Sequence, residues 1–369
     1  MEKLTSYAEK YAALLVNYCL ELKEGEKVYV KTTHLAEPLL MALQKEIVKA
    51  GAHPHYSVAF RDQDRLFLEN ASDSQLEYVP NQFKEVMETF DAYLFIQAAF
   101  DSKALQGVDP AKSRKMAQAR SAPRKRYMER TATREMKRNL CLWPTESSAE
   151  NAQMSLEEYR DFVFGACMLH DENPMDSWLE VRRKQQSVVD LLNKREKVRY
   201  VGPDIDVSFM TSGRTWINSD GQTNMPSGEV YTSPVEESVN GQVRFSFPGV
   251  YMGREVEDIT LTIENGVVTK WEAKKGKELL DELLALPGGN MFGEVAIGTN
   301  YRIQRQTRNM LFDEKMGGTI HMALGQSYFQ TGGKNVSDIH WDLLANMRDG
   351  GEIYADDELI YQNGQFIFE

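Results

Sequence analysis

The sequence predicts an α/β domain with a mainly parallel sheet, followed by a β-rich α+β domain that holds a metal centre. Three observations carry this. Through residue 98, apolar segments of strand period and helix period alternate, the order that builds a parallel layer. From Arg199 onward, short runs rich in Val, Ile, Tyr and Thr are separated by Gly turns, the texture of an antiparallel sheet. The charged stretch 194–197 divides the two textures, so the expected domains are residues 1–195 and 196–369.

In order along the chain, Leu4, Tyr7, Tyr11, Leu14, Leu15, Tyr18 and Leu22 recur at helical spacing and predict an amphipathic helix over 4–23. Residues 27–31 alternate as a strand, and 37–50 form a second helix stopped by Gly51. Residues 53–60 alternate again, with Tyr56, Val58 and Phe60 on one face. A helix over 79–90 leads to 92–98, a short apolar run typical of a buried strand. Residues 110–138 are strongly basic. Interrupted by Pro123, they read as helices with a solvated positive face, because a nucleic-acid patch would interleave aromatics. Ser155 stands three before Glu158, a capping box for a helix reaching about 169, and another helix covers 174–194. The second half reads as strands at 207–210, 228–232, 243–247, 259–263 and 267–271, with Asn265-Gly266 as a hairpin turn. One helix, 277–286, ends at Pro287-Gly288-Gly289.

Composition narrows the function. A net charge of −12 argues against a nucleic-acid partner, which requires a basic surface. Cys19, Cys141 and Cys167 are far apart and form no Cys-x-x-Cys pair, which points to a reducing compartment. The first residues lack a basic segment followed by an apolar one, and no run is long enough to span a membrane. The expectation is a cytoplasmic protein with no membrane partner. No Gly-x-Gly-x-x-Gly follows a strand and no Walker loop occurs, so a nucleotide site is unsupported.

The chemistry concentrates in 311–342, which holds Glu314, His321, Tyr328, His340 and Asp342 and two of only six histidines. His340-Trp341-Asp342 on a strand sends both polar side chains to one face and Trp341 to the other, so the pair can converge on a metal. A solvated strand end is the plainer alternative. Glu229 follows a Pro-Ser-Gly turn onto a Val/Tyr/Thr strand, and Glu294 heads the apolar strand Val-Ala-Ile, where a charge is unusual. Together Glu229, Glu294, Glu314, His321, His340 and Asp342 offer N and O ligands, mostly carboxylates. That inventory suits two divalent cations with a bridging carboxylate.

On these residues the sequence resembles the two-metal aminopeptidase family of aminopeptidase T, aminopeptidase S and the PepS enzymes. The carriers are Asn-Met-Pro-Ser-Gly-Glu-Val-Tyr-Thr-Ser-Pro at 224–234, Gly-Glu-Val-Ala-Ile-Gly at 293–298, Leu-Phe-Asp-Glu at 311–314, His-Met-Ala-Leu-Gly-Gln-Ser-Tyr at 321–328 and His-Trp-Asp at 340–342. The resemblance implies that Glu229, Glu294, Glu314, His321, His340 and Asp342 ligate two divalent ions per chain (Zn, Co, Mn or Mg). It implies that Tyr328 stabilises the transition state, and that the protein is a homodimer. The expected reaction is hydrolysis of the N-terminal peptide bond of peptides through a water activated by the two cations, with Glu294 or Glu229 as general base. The alternatives are a two-metal hydrolase of another amide or ester, or a metal-binding protein without turnover. Two departures from the family pattern stand out: the interval from Glu314 to His321 is longer, and the loop from Tyr328 to His340 is shorter, which would change the substrate pocket.

Overall fold

The structure, a computed structural model, describes residues 2–367. The chain divides into two compact units. One runs to Met175 and takes in Gly221–Pro226; the other comprises Asp176–Asp220 and the chain from Ser227 on.

The first unit holds a five-stranded sheet, parallel throughout, in the order His53–Ala59, Lys27–Thr33, Ala92–Gln97, Lys137–Leu142, Asn224–Met225. Val28, Val30 and Thr32 alternate inward from the strand that follows the opening helix. That helix, Glu2–Leu14, continues as a π-helical turn, Leu15–Cys19, and buries Tyr11, Leu14, Leu15 and Tyr18, the stripe expected from their spacing. His53–Ala59 is an edge strand. Val58 and Phe60, read on one face with Tyr56, are exposed. The basic segment forms helices Pro110–Ala119 and Ser121–Ala132, broken at Arg120; Pro123 sits in the first turn of the second, where its missing N–H costs nothing. Arg130 is buried and donates to Glu135 and to the Met87 carbonyl, a packing role. The Ser155–Glu158 capping box forms as expected. Cys19, Cys141 and Cys167 are all buried, and the Cys167 thiol donates to the Tyr11 hydroxyl at 3.5 Å.

The second unit packs two antiparallel sheets around one core. The larger runs Val267–Glu272, Ile259–Glu264, Asn240–Phe245, Ile205–Met210, Lys197–Gly202, Glu352–Ala355, Glu358–Gln362, Gln365–Phe366. The smaller runs His340–Asn346, Thr319–Gly325, Phe292–Gly298, Glu229–Thr232, Ile217–Ser219. Tyr200, Val207, Phe209 and Leu261 of one meet Val295, Ile297, Met322, Leu324 and Trp341 of the other in a shared core. Leu279, Leu280, Leu283 and Leu284 of helix Lys277–Leu284 close it.

The compact units divide the chain elsewhere than the change of texture at 195. Helix Pro174–Leu192 buries Val188, Val189 and Leu192 in the β-rich core, so that core begins before its first strand. Residues Gly221–Pro226 return to the first unit because Asn224–Met225 pairs with Leu140 and Cys141. Among the described residues, no helix is long and apolar enough to cross a membrane.

Candidate metal centre

Register and the period of two put the predicted ligands on one face of the smaller sheet. Glu294 and Asp342 both lie opposite Ala323, and His321 lies opposite Ala296, which in turn pairs with Tyr231. Glu229 and Tyr231 share a face because they are two apart, as are His340 and Asp342. The other face carries Val230, Val295, Ile297, Met322, Leu324, Trp341 and Leu343 into the core. Between the ligands on this face stand the small residues Ala296 and Ala323, while the Met316 carbonyl closes over Gly298.

A β-bulge makes this alignment possible. Phe292 pairs with Leu324 and Glu294 with Ala323, so Gly293 is an extra residue. Without it, Phe292 and Glu294 would share a face; with it, Phe292 enters the core and Glu294 faces the histidines. A Cβ on Gly293 would meet the carbonyl oxygens of Gly325 and Gln326. The Pro-Ser-Gly turn that delivers Glu229 is equally constrained. Gly228 has φ +116°, and a Cβ there would lie 2.7 Å from the Asn300 Cβ. Asn300 Nδ2 donates to the Ser227 carbonyl at 2.9 Å, and Gln185 Nε2 to the Glu229 carbonyl at 3.2 Å.

Five of the six predicted ligands come together in two groups that share Glu294. Glu229, Glu294 and His321 offer ligand atoms within 4.8 Å of one another, and so do Glu294, His340 and Asp342. His321 Nε2 lies 3.4 Å from Glu229 Oε2 and 3.7 Å from Glu294 Oε1. His340 Nε2 lies 3.1 Å from Glu294 Oε2 and 3.5 Å from Asp342 Oδ1. Glu314 joins neither group. Its carboxylate accepts from Lys315, whose Nζ also donates to Glu229 Oε1 at 2.6 Å.

The donor set fits divalent cations. Glu229, Glu294, His321 and Asp342 are buried, and neither Glu229 Oε2 nor Asp342 Oδ1 receives a hydrogen bond. Buried carboxylates cost several kcal/mol each unless positive charge faces them; here Lys315 and the two imidazoles do so, and a bound cation would supply compensation of the same kind. Burial lowers both imidazoles, but the carboxylates outweigh it: Glu294 and Glu229 hold His321 up at about 9, and Asp342 and Glu294 hold His340 well above the ordinary range. Burial raises Asp342, and His340 outweighs it, holding the carboxyl low. His340 Nδ1 lies 2.8 Å from the Gln326 carbonyl, to which it donates as Nδ1–H, leaving Nε2 for a metal.

Tyr328 lies just past the strand Thr319–Gly325. Its ring is 5.0 Å from that of His340 and edge-on to that of Tyr231 at 5.6 Å. The residue is 38% exposed overall, yet desolvation beside the site and then the charges of Glu294, Asp342 and Glu314 raise its phenol well above the ordinary range. Sequence reading missed Lys315 and Tyr231. The one signal for Lys315 was an ionisable residue beside Glu314 in the lengthened interval before His321. For Tyr231 it was a spacing of two from Glu229.

The fold has a known counterpart. A solved structure, wild-type AmpT from Thermus thermophilus, superposes with a TM-score of 0.83 at 23% identity, over 98% of this chain and 99% of that one. Aminopeptidase 2 from Geobacillus stearothermophilus is 25% identical with both chains covered to 100%. Aminopeptidase T from Thermus thermophilus is 27% identical over 96% of this chain and 97% of its own. The family described as thermophilic metalloprotease (M29) matches residues 5–366. With that match spanning almost the whole chain, the protein belongs to the thermophilic metalloprotease (M29) family, an enzyme family of metal-dependent aminopeptidases, and is a hydrolase.

Proposed function

We propose that the enzyme removes N-terminal residues from peptides, using two divalent cations held by Glu229, Glu294, His321, His340 and Asp342. The observation that carries this reading is Glu294, one carboxylate common to two separate groups of ligands. When bound, paired cations polarise a scissile carbonyl and make an attacking water acidic near neutral pH. Zn, Co, Mn and Mg all suit the carboxylate and imidazole donors.

The chain's own groups supply the rest. Glu229 or Glu294 accepts the proton of the attacking water; each turns one oxygen to His321 Nε2, at 3.4 and 3.7 Å. The Tyr328 phenol donates a hydrogen bond to the developing oxyanion, a contribution of roughly 3–4 kcal/mol. The carboxylate-rich face receives the substrate's free α-ammonium, which makes the enzyme an exopeptidase. We place the protein in the cytoplasm, consistent with three buried cysteines that form no disulfide, and as a homodimer on the family resemblance.

The test is a panel of aminoacyl-arylamides assayed with Co, Zn, Mn and Mg, beside the same compounds with the amine acetylated. Metal-dependent turnover of the free amines alone is expected. Equal turnover of the acetylated compounds would reject an aminopeptidase and favour a hydrolase of other amides or esters.

A further inference from the structure

We infer that Lys315 is a resident cation of this centre, a positioning residue that makes its two cation sites unequal. The inference rests on the two-cation reading above and concerns how this chain departs from a symmetric pair. The Lys315 side chain is 1% exposed. Its ammonium lies 2.6 Å from Glu229 Oε1 and donates to Glu314 Oε1. It cannot swing away easily, because its backbone is pinned. The Lys315 carbonyl accepts from Asn300 N at 2.9 Å, and its own N–H donates to the Phe312 carbonyl at 3.1 Å.

The ammonium splits the two oxygens of Glu229. Oε1 is occupied by Lys315, and Oε2 alone is turned to His321. Glu229 therefore enters the group with Glu294 and His321 through one oxygen. A dication there shares its carboxylate with a positive charge already in place, and like charges in a buried setting repel strongly. The group of Glu294, His340 and Asp342 feels the ammonium less: among the described residues its carboxylates pair with imidazoles and not with Lys315, whose charge acts on Asp342 more weakly than those of His340 and His321. That group fills first and holds its ion more tightly. Glu314 is the counter-charge of Lys315. Paired with the ammonium, it stands outside both ligand groups, although its place in the sequence beside the ligand-rich strand suggested a ligand. The lengthened interval before His321 thus brings a lysine where a sixth ligand was expected.

The experiment uses the full chain stripped of metal and titrated with Co2+ alone, followed by calorimetry and by visible absorption. Wild type should take up two ions in two resolved steps. Lys315→Met should tighten the weaker step by at least about tenfold and leave the tighter one unchanged. Lys315→Arg, which keeps the charge, should retain the wild-type difference. Should Lys315→Met strand the Glu314 charge and fail to fold, the double variant Glu314→Gln/Lys315→Met removes both charges together and should again tighten the weaker step. Two equal steps in wild type, or a weaker step that neither variant tightens, would overturn the role of Lys315 while leaving two cations in place. Loss of the second ion from the double variant would make Glu314 a ligand and overturn it too. Fewer than two ions in wild type would sink the two-cation reading itself, and this inference with it.

Discussion

At the scale of single residues, the centre separates holding a metal from acting on a substrate. His340 presents Nε2 to Glu294 and Asp342 while its Nδ1 is committed to the Gln326 carbonyl. Removing it deletes one donor from the group that shares Glu294. His340→Ala should therefore lose at least one ion, measured by elemental analysis of the purified chain, and nearly all activity with it. Full occupancy would reject His340 as a ligand. Tyr328 is different. Its ring lies tilted against that of His340, and its phenol is in neither ligand group. Tyr328→Phe should keep both ions and the fold, lower kcat by roughly two to three orders of magnitude, and leave KM nearly unchanged. Near-normal kcat would reduce Tyr328 to packing against Tyr231.

At the scale of elements, the bulge at Gly293 decides whether the ligands meet. Gly293→Ala would press a methyl group into the Gly325 and Gln326 carbonyls and displace the strand that carries Glu294. The expected cost is roughly 1–3 kcal/mol of stability, with metal loss larger than that loss of stability would explain. Urea unfolding of the stripped chain and ion counting on the loaded one check the two parts separately; a variant that binds two ions normally would show that the bulge is not what aims Glu294. Much of this face was legible in the sequence. His-x-Asp and Glu-x-Tyr at spacing two fix their faces once a strand is assumed, and Val-Ala-Ile beside Glu294 marks a buried strand. The bulge was not legible, because strict alternation puts Phe292 and Glu294 together and only cross-strand register reveals the extra residue. The pairing of Lys315 with Glu229 spans 86 positions of sequence and leaves no local pattern. The start of the second core was missed for a related reason. The apolar stripe of helix Pro174–Leu192 shows that it is covered, not which sheet covers it.

At the scale of the whole molecule, two consequences are open to measurement. The homodimer that the sequence resemblance implies remains our proposal, and the edge strand His53–Ala59 with exposed Val58 and Phe60 offers a surface for it. Light scattering at micromolar concentration should report about twice the chain mass of 42.2 kDa, and a monomer there would count against it. The second consequence follows from where the centre lies. Every proposed ligand belongs to the second compact unit, so bound cations stabilise that unit. Trp178, Trp216, Trp271 and Trp341 also lie in it, and only Trp143 lies in the other. Tryptophan fluorescence therefore reports chiefly on the metal-binding unit. A ligand present at a hundred times its dissociation constant stabilises the native state by about 2.7 kcal/mol per site. For a unit of this size, that is about 5–10 °C in melting midpoint. Chelation should lower the fluorescence midpoint by at least that much, and readdition of Co or Zn should restore it. A midpoint indifferent to chelator would mean that the cations bind the folded unit no better than the unfolded chain, and the centre would then be a cluster of acids and histidines without a metal.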